Sequence, residues 1–223
     1  MRRRGRVVAL ALGLAVLTAS GRAAAEDEAQ LWLGSGLSLL PAKKLELSLD
    51  PQVRFDQDIS RVSSVLGDVG VLYGPWKWLR IGAGYRAEGK RENDDVFGAR
   101  HRINADVEPR FSAWGFRFSY RLRLQEEWRL AKRDREVATF RNRLKIAYHG
   151  FEVWRPAVSA ELFVDLGDFD RSQTEKLRLK ADVTFPIGDH RLGGFYALEL
   201  PLLEGGVRVH IIGLEYRYEF DLH

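Results

Sequence analysis

The sequence contains no cysteine among its 223 residues. This absence excludes a disulfide scaffold, a thiol nucleophile, and zinc or iron–sulfur sites built on cysteine ligands. Outside residues 7–17, no stretch approaches the roughly 18 consecutive apolar residues that indicate a membrane-spanning helix. The sequence also lacks a P-loop, a glycine-rich dinucleotide motif and a histidine-rich metal spacing. We therefore expect no cofactor and no bound metal.

The excess of positive charge is confined to the start of the chain. The formal net charge is +4, but the first 25 residues contain five arginines and no carboxylate. The remaining residues contain 30 Lys and Arg against 31 Asp and Glu, a net charge of −1. Because this balance provides no basic footprint, nucleic acid is not an expected partner.

The first 25 residues have the organisation of an export signal. A basic segment at 1–6 precedes an apolar run at 7–17, and small residues end in Ala23, Ala24 and Ala25. This order predicts a cleaved secretory signal peptide at 1–25, followed by one domain at 26–223. The apolar run is too short to span a bilayer, and no cysteine follows it to carry a lipid anchor.

Alternation of apolar and polar residues dominates the rest of the sequence. In residues 45–56, odd positions are apolar or proline and even positions are polar. A strand sorts such residues onto two faces, whereas a helix would scatter them around its circumference. Eleven segments of about 10 to 14 residues show this period and predict strands. They are residues 31–40, 45–56, 62–73, 78–88, 102–112, 116–125, 137–149, 156–166, 175–187, 192–200 and 207–220.

Short and long connectors alternate between these segments. The longer ones are polar, as at residues 89–95, 131–136 and 167–174, while aromatic residues gather beside the short turns. This asymmetry predicts an all-β, closed, antiparallel up-and-down transmembrane β-barrel of 10–12 strands in the outer membrane of a Gram-negative bacterium. Short turns would face the periplasm and longer loops the outside. Since bacterial barrels use even strand numbers, we expect one of the eleven segments to be miscounted.

Several short motifs give the chain a family resemblance. They are Gln30-Leu31-Trp32, Arg54-Phe55, Arg100-His101-Arg102 and Tyr216-Arg217-Tyr218-Glu219-Phe220. Over about residues 27–220 the chain resembles the small outer-membrane barrels called domain of unknown function 2490. The resemblance implies a barrel fold and an outer-membrane location. The family carries no established activity, so the resemblance assigns no functional residue.

The polar face of the predicted sheet contains a candidate stripe of cations inside the barrel. Its members are Arg117, Arg121, Arg123, Arg141, Arg143 and Lys145. Candidate counter-charges on the same face are Asp106, Glu108, Glu127 and Glu161. The stripe predicts a porin-like narrow passive pore for small anionic solutes. Neutralisation by the carboxylates predicts instead a salt-bridged, mostly closed interior.

Other functions have weaker support in the sequence. A lipid-modifying hydrolase of the outer membrane would need a serine beside His101 or His210, and Ser172 is the candidate near that rim. A calcium loop at Asp165, Asp168 and Asp170 lacks EF-hand spacing.

We therefore expect no enzyme activity. A soluble periplasmic barrel that binds an apolar ligand is the other alternative. The expected partners are outer-membrane lipids and, through the C-terminal strand, the barrel-assembly machinery.

Overall fold

The computed structural model describes residues 27–93, 96–129, 135–167 and 173–222. The predicted signal peptide at 1–25 lies outside these residues. Every regular element within them is a β-strand, and none of their segments forms a helix that could cross a membrane. The strands are β1 (Asp27–Ala42), β2 (Leu45–Asp56), β3 (Arg61–Trp76), β4 (Leu79–Asn93), β5 (Val96–Ala113), β6 (Phe116–Arg129), β7 (Arg135–Tyr148), β8 (Arg155–Asp165), β9 (Gln173–Ile187), β10 (His190–Pro201) and β11 (Arg208–Asp221).

The eleven strands form one closed barrel. Consecutive strands pair antiparallel, and β1 closes the ring against β11 in a parallel ladder. Parallel closure follows from the odd number, because strands that reverse direction at every turn leave the first and eleventh pointing the same way. The predicted all-β closed barrel of 10–12 strands is confirmed. The expectation that one segment had been miscounted is wrong, and the closing pair departs from the predicted antiparallel arrangement.

The two rims of the barrel have different connections. Two-residue turns at 43–44, 77–78, 114–115 and 188–189, together with the longer connection 149–154, join strands at one rim, here called the short-turn rim. The other rim, the long-loop rim, has the longer connections 57–60, 130–134, 166–172 and 202–207, but only residues 94–95 between β4 and β5. β1 starts at the long-loop rim, whereas β11 ends at the short-turn rim.

The strands at the long-loop rim extend further than predicted. The polar connector predicted at 89–95 is mostly strand, because β4 continues to Asn93 and pairs with β5, which begins at Val96. Alternation stops earlier than β4 does because residues 90–93 are polar at every position.

The two faces of the wall differ sharply in polarity. Leu124 and Leu214 point outward and are 53% and 57% exposed. Glu161, which points inward, is 5% exposed and belongs to a polar interior. Charged side chains therefore line the inside and apolar ones cover the outside, as the interpretation of the sequence as a transmembrane barrel predicted.

Two prolines interrupt the ladders without changing their register. Between β1 and β2, pairing stops after Gly34–Gln52 and resumes at Leu37–Leu49. Pro51 lies in this interval, and a proline has no N–H to donate. Between β5 and β6, pairing stops after Val107–Leu122 and resumes at Arg110–Ser119, with Pro109 in the interval.

Cysteine pairs can test the parallel closure, because the natural chain has no cysteine of its own. Leu33 is the register partner of Leu214 across β1 and β11. We expect Leu33→Cys with Leu214→Cys to be bridged by dibromobimane, since cross-strand neighbours lie close enough for a short linker. The measurement is the faster migration of the bridged chain on a denaturing gel. Leu33→Cys with Tyr218→Cys, four residues out of register, is the control, and bridging there instead would contradict the parallel ladder.

Candidate functional site

A cavity of 870 Å³ occupies the barrel interior and receives side chains from all eleven strands. Fourteen Lys and Arg side chains and seven Asp and Glu side chains line it. Arg123, Arg143 and Arg178 also pair with Asp106, Glu108 and Glu199, which lie outside this lining, so the excess of positive charge is smaller than the two counts alone give. Because the surrounding wall has a low dielectric constant, such an excess concentrates a positive potential in the cavity.

Four residues of the predicted cationic stripe line this cavity. They are Arg121, Arg123, Arg141 and Arg143. Lys145 bonds Asp182 instead, with Nζ 3.0 Å from Oδ1. Arg117 is exposed near the short-turn rim and lies outside the cavity lining. Partial burial and then the charge of Arg117 lower the pKa of His149 in the adjacent turn.

Two predicted counter-charges each hold one cation of the stripe. Arg123 donates from Nε and Nη2 to the two carboxylate oxygens of Asp106, both at 2.6 Å. Arg143 donates from Nη2 to Glu108 at 3.3 Å. The first pair has the bidentate geometry that fixes both side chains against the wall.

Glu127 pairs with a different group of cations. It accepts a hydrogen bond from Arg100 at 3.2 Å and bonds Arg102 with a second oxygen. Both arginines belong to β5, so this carboxylate does not neutralise the stripe on β6 and β7. Sequence alternation placed it on the correct face but could not identify its partners.

Glu161 is the centre of the most buried charge cluster. Arg121 donates to it at 2.6 Å and Arg141 at 2.9 Å, while a nitrogen of Arg178 lies 3.7 Å away. Arg141 also donates to Gln125 at 3.1 Å. One carboxylate thus stabilises three guanidinium groups contributed by three strands.

The ion pairs described above run along the wall. Each joins strands that are neighbours or one strand apart, such as Arg121 on β6 with Glu161 on β8. They brace the sheet from inside and leave the central cavity between them. Buried Nε atoms of Arg121 and Arg143 have no partner within the described part of the protein.

Three aromatic rings lie among these cations, and sequence alternation missed them. They are Trp32, Phe163 and Phe195. The guanidinium of Arg54 lies 3.9 Å above the Trp32 ring, and the ammonium of Lys180 lies 3.6 Å from the Phe195 ring. Gly213 makes room for the ring of Phe195, because a Cβ at position 213 would overlap that ring. A guanidinium above an aromatic face is a favourable cation–π contact, so apolar rings are tolerated inside.

The histidines considered for catalysis lie on the outer face, in aromatic surroundings. His101 bonds the hydroxyl of Tyr85 through Nδ1 and stacks against Trp128 with ring centroids 5.9 Å apart. His210 Nδ1 lies 2.7 Å from the hydroxyl of Tyr196. These contacts are those of packed, hydrogen-bonded aromatic rings.

The remaining candidate groups are only partly described. Ser172, Asp168 and Asp170 lie outside the described residues. Asp165 accepts a hydrogen bond from the backbone of Gly167 at 2.9 Å. Within the described ranges, no three His, Cys, Asp or Glu residues group closely enough to hold a metal ion.

Comparison with known proteins identifies the family. The family model described as "Protein of unknown function (DUF2490)" matches residues 29–196. The chain belongs to the DUF2490 family. This confirms the resemblance seen in the sequence, and the matched part of the DUF2490 protein extends from β1 into β10.

The other comparisons add little. No curated protein matches the chain. A solved structure described as "Unveiling the Mechanism Behind the in-meso Crystallization of Membrane Proteins" is 15% identical, with a TM-score of 0.41. The alignment covers 77% of this chain and 76% of that one. A similarity this low carries no information about the role of this DUF2490 protein.

Replacing Glu161 tests the importance of the buried cluster. We expect Glu161→Gln to lower the free energy of unfolding by about 3 kcal/mol, because three guanidinium groups would lose their shared carboxylate. The measurement is urea unfolding followed by tryptophan fluorescence. Glu219→Gln is the matched control. Glu219 lies 2.5 Å from Arg191, whose side chain is 40% exposed, so we expect this change to lower the free energy of unfolding by less than about 1 kcal/mol. Equal losses would contradict the central role of Glu161.

Proposed function

We propose that this DUF2490 protein is an outer-membrane β-barrel whose interior admits small anionic solutes. The outward apolar face supports a lipid environment, since a closed ladder satisfies its own backbone groups in hydrocarbon. Strand lengths of 11 to 18 residues fit as well, because a tilted strand needs about 9–11 residues to cross. The predicted signal peptide would deliver the chain to the periplasm, and the C-terminal strand would engage the assembly machinery.

Aromatic residues at the short-turn rim support the same environment. Trp76 stacks on Trp78 with ring centroids 5.5 Å apart, and Phe151 stacks on Trp154 at 4.7 Å. Trp and Tyr rings favour the boundary between lipid and water because one part is apolar and another polar. This rim would lie at the periplasmic surface of the membrane.

The proposal of an anionic solute rests on the charge of the cavity. Fourteen cations and seven carboxylates line it, and several further carboxylates outside the lining pair with lining cations, so ion pairing leaves a small excess of positive groups. Arg54 illustrates the excess, because its guanidinium contacts within the described residues are the neutral side chains of Gln52 and Trp32. Such a lining attracts anions from solution and repels cations. The protein is proposed to act by binding or passage and not by catalysis.

Gel migration tests the membrane barrel. We expect the purified chain to need detergent for solubility and to migrate faster when unheated than after boiling. The unheated chain migrates faster because the intact barrel stays compact in detergent, whereas boiling breaks the closed ladder and unfolds the chain. A chain that stays soluble without detergent would contradict the proposal and support the soluble periplasmic barrel.

Ion selectivity in planar bilayers tests the anionic solute. We expect single channels whose reversal potential in a KCl gradient shows preference for chloride. Arg54→Glu should shift the preference towards potassium, because it replaces a cation in the cavity by a carboxylate. Lys77→Glu makes the same charge change in an exposed turn and should shift it less. Cation preference in the natural protein, or no conductance, would contradict the pore.

A further inference from the structure

A thin stretch of wall separates the interior cavity from a groove on the outside of the barrel. The groove has a volume of 680 Å³ and crosses β9, β10, β11, β1 and β2. Its lining is mostly apolar, with Leu33 and Leu214 among its side chains. Seven residues line both the groove and the cavity, including Gly34 and Pro51. The two spaces are therefore separated by a single layer of residues, which includes two glycines.

The hydrogen-bonded ladder is open at the same stretch. Ser35 and Gly36 on β1 face Pro51 and Asp50 on β2 without pairing, while the flanking register is unbroken. These two positions span roughly 7 Å along the strand, and because ladder pairing is missing there, β1 and β2 can separate at less cost than at neighbouring positions. A stretch of this length suits one alkyl chain and is too short for a lipid with two chains side by side.

The second interruption of a ladder shows that a proline alone does not produce a thin stretch of wall beside an apolar groove. Pro109 leaves an equal interval between β5 and β6. None of the residues in that interval lines the apolar groove. The stretch at Pro51 is distinguished by having a groove outside and the cavity inside.

One outward-facing position in the lining of the groove has no side chain. Gly194 points outward between Leu192 and Leu214. A Cβ at Gly194 would make ordinary contact with Leu214 at 3.7 Å, so crowding does not require glycine there. A larger side chain could therefore fill the groove from this position.

Cations line the inner side of the opening. Arg54 donates to Gln52 at 2.7 Å, next to Pro51. Arg217 bonds Asp50 and donates to Ser38 at 3.0 Å. An anionic group that reached the inner side would meet the guanidinium of Arg54, whose contacts are neutral, next to Arg217, which is already bonded to Asp50. Anything attached to it outside would meet apolar side chains.

We propose that this stretch of wall binds a single-chain anionic amphiphile. Its alkyl chain lies in the outer groove, and its carboxylate or phosphate contacts Arg54 and Arg217 inside. The inference rests on the proposed membrane location, because the groove would then face lipid. It extends the proposed anionic solute to amphiphiles that enter from the membrane through the side of the barrel.

Photolabelling tests the position of the alkyl chain. The protein is placed in nanodiscs of zwitterionic phosphatidylcholine and exposed to palmitate with a mid-chain diazirine. We expect saturable labelling of the peptides that contain Leu33, Leu192 and Leu214. Unlabelled palmitate should compete for this labelling.

A variant that fills the groove should remove the labelling. We expect Gly194→Phe to reduce it at least about tenfold, the loss that corresponds to roughly 1.4 kcal/mol of binding free energy. Ala105→Phe is the matched control, because Ala105 is a small outward residue on β5 away from the groove. Gly194→Leu provides a smaller replacement, and heat-dependent gel migration verifies that each variant has folded.

A second variant tests recognition of the head group. We expect Arg54→Gln to weaken competition by palmitate about tenfold, because it removes a charge-assisted hydrogen bond. Competition by hexadecanol, which has the same chain and no charge, should not change. Arg80→Gln, beside the interval at Pro109, is the control and should alter neither. Hexadecyl phosphate in place of palmitate compares the two anionic head groups.

Two results would overturn the inference. Labelling spread evenly over the outer face, or unaffected by Gly194→Phe, would exclude the groove as the site. Labelling at the groove that is equally sensitive to palmitate and hexadecanol would exclude the anionic head group inside. A chain that inserts into nanodiscs and gives either result contradicts this inference alone, whereas failure to insert contradicts the proposed function as well.

Discussion

Each strand of this barrel has only two directions for its side chains, because the wall is a single sheet. Apolar residues occupy one direction, so almost every charged residue must occupy the other. Crowded into the interior, these charges need partners, since an unpaired ion removed from water is costly. The pairs of Arg123 with Asp106 and of Arg121 with Glu161 follow directly from that crowding. The cavity, its charge and its bracing are all consequences of the alternation.

This alternation explains how much the sequence could predict. The placing of Arg121 and Arg141 on the polar face of their strands was predictable because parity within a strand is a local property. The inward direction of that face was predicted from the export signal, the strand lengths, the aromatic turns and the difference between the two rims. The partners of the inward cations were not predictable. The ion pair of Lys145 with Asp182, for example, depends on the register of β7 and β9 across β8, the strand between them. Parallel closure was missed for a different reason, since a preference for even strand numbers outweighed a correct count of eleven segments.

The inward aromatic residues show a second limit of sequence patterns. Trp32 stands between Leu31 and Leu33, so the period is lost just where the ring turns inward. What makes the position acceptable is Arg54, which comes from another strand and covers the ring. Glycines follow the same logic, because Gly213 accommodates a ring inside and Gly194 leaves a hollow outside. Their spacing in the sequence gives no sign of these opposite uses.

The parallel contact between β1 and β11 also limits how such a ring can arise or be rearranged. A hairpin contributes strands in twos, so whole hairpins alone never produce eleven. Linking the first strand to the last would require a connector as long as the barrel is tall, because the two free ends lie at opposite mouths. Circular permutants, which are simple to build for an even-numbered ring, would need such a connector here. The geometry of the barrel therefore limits how the order of strands along the chain can change.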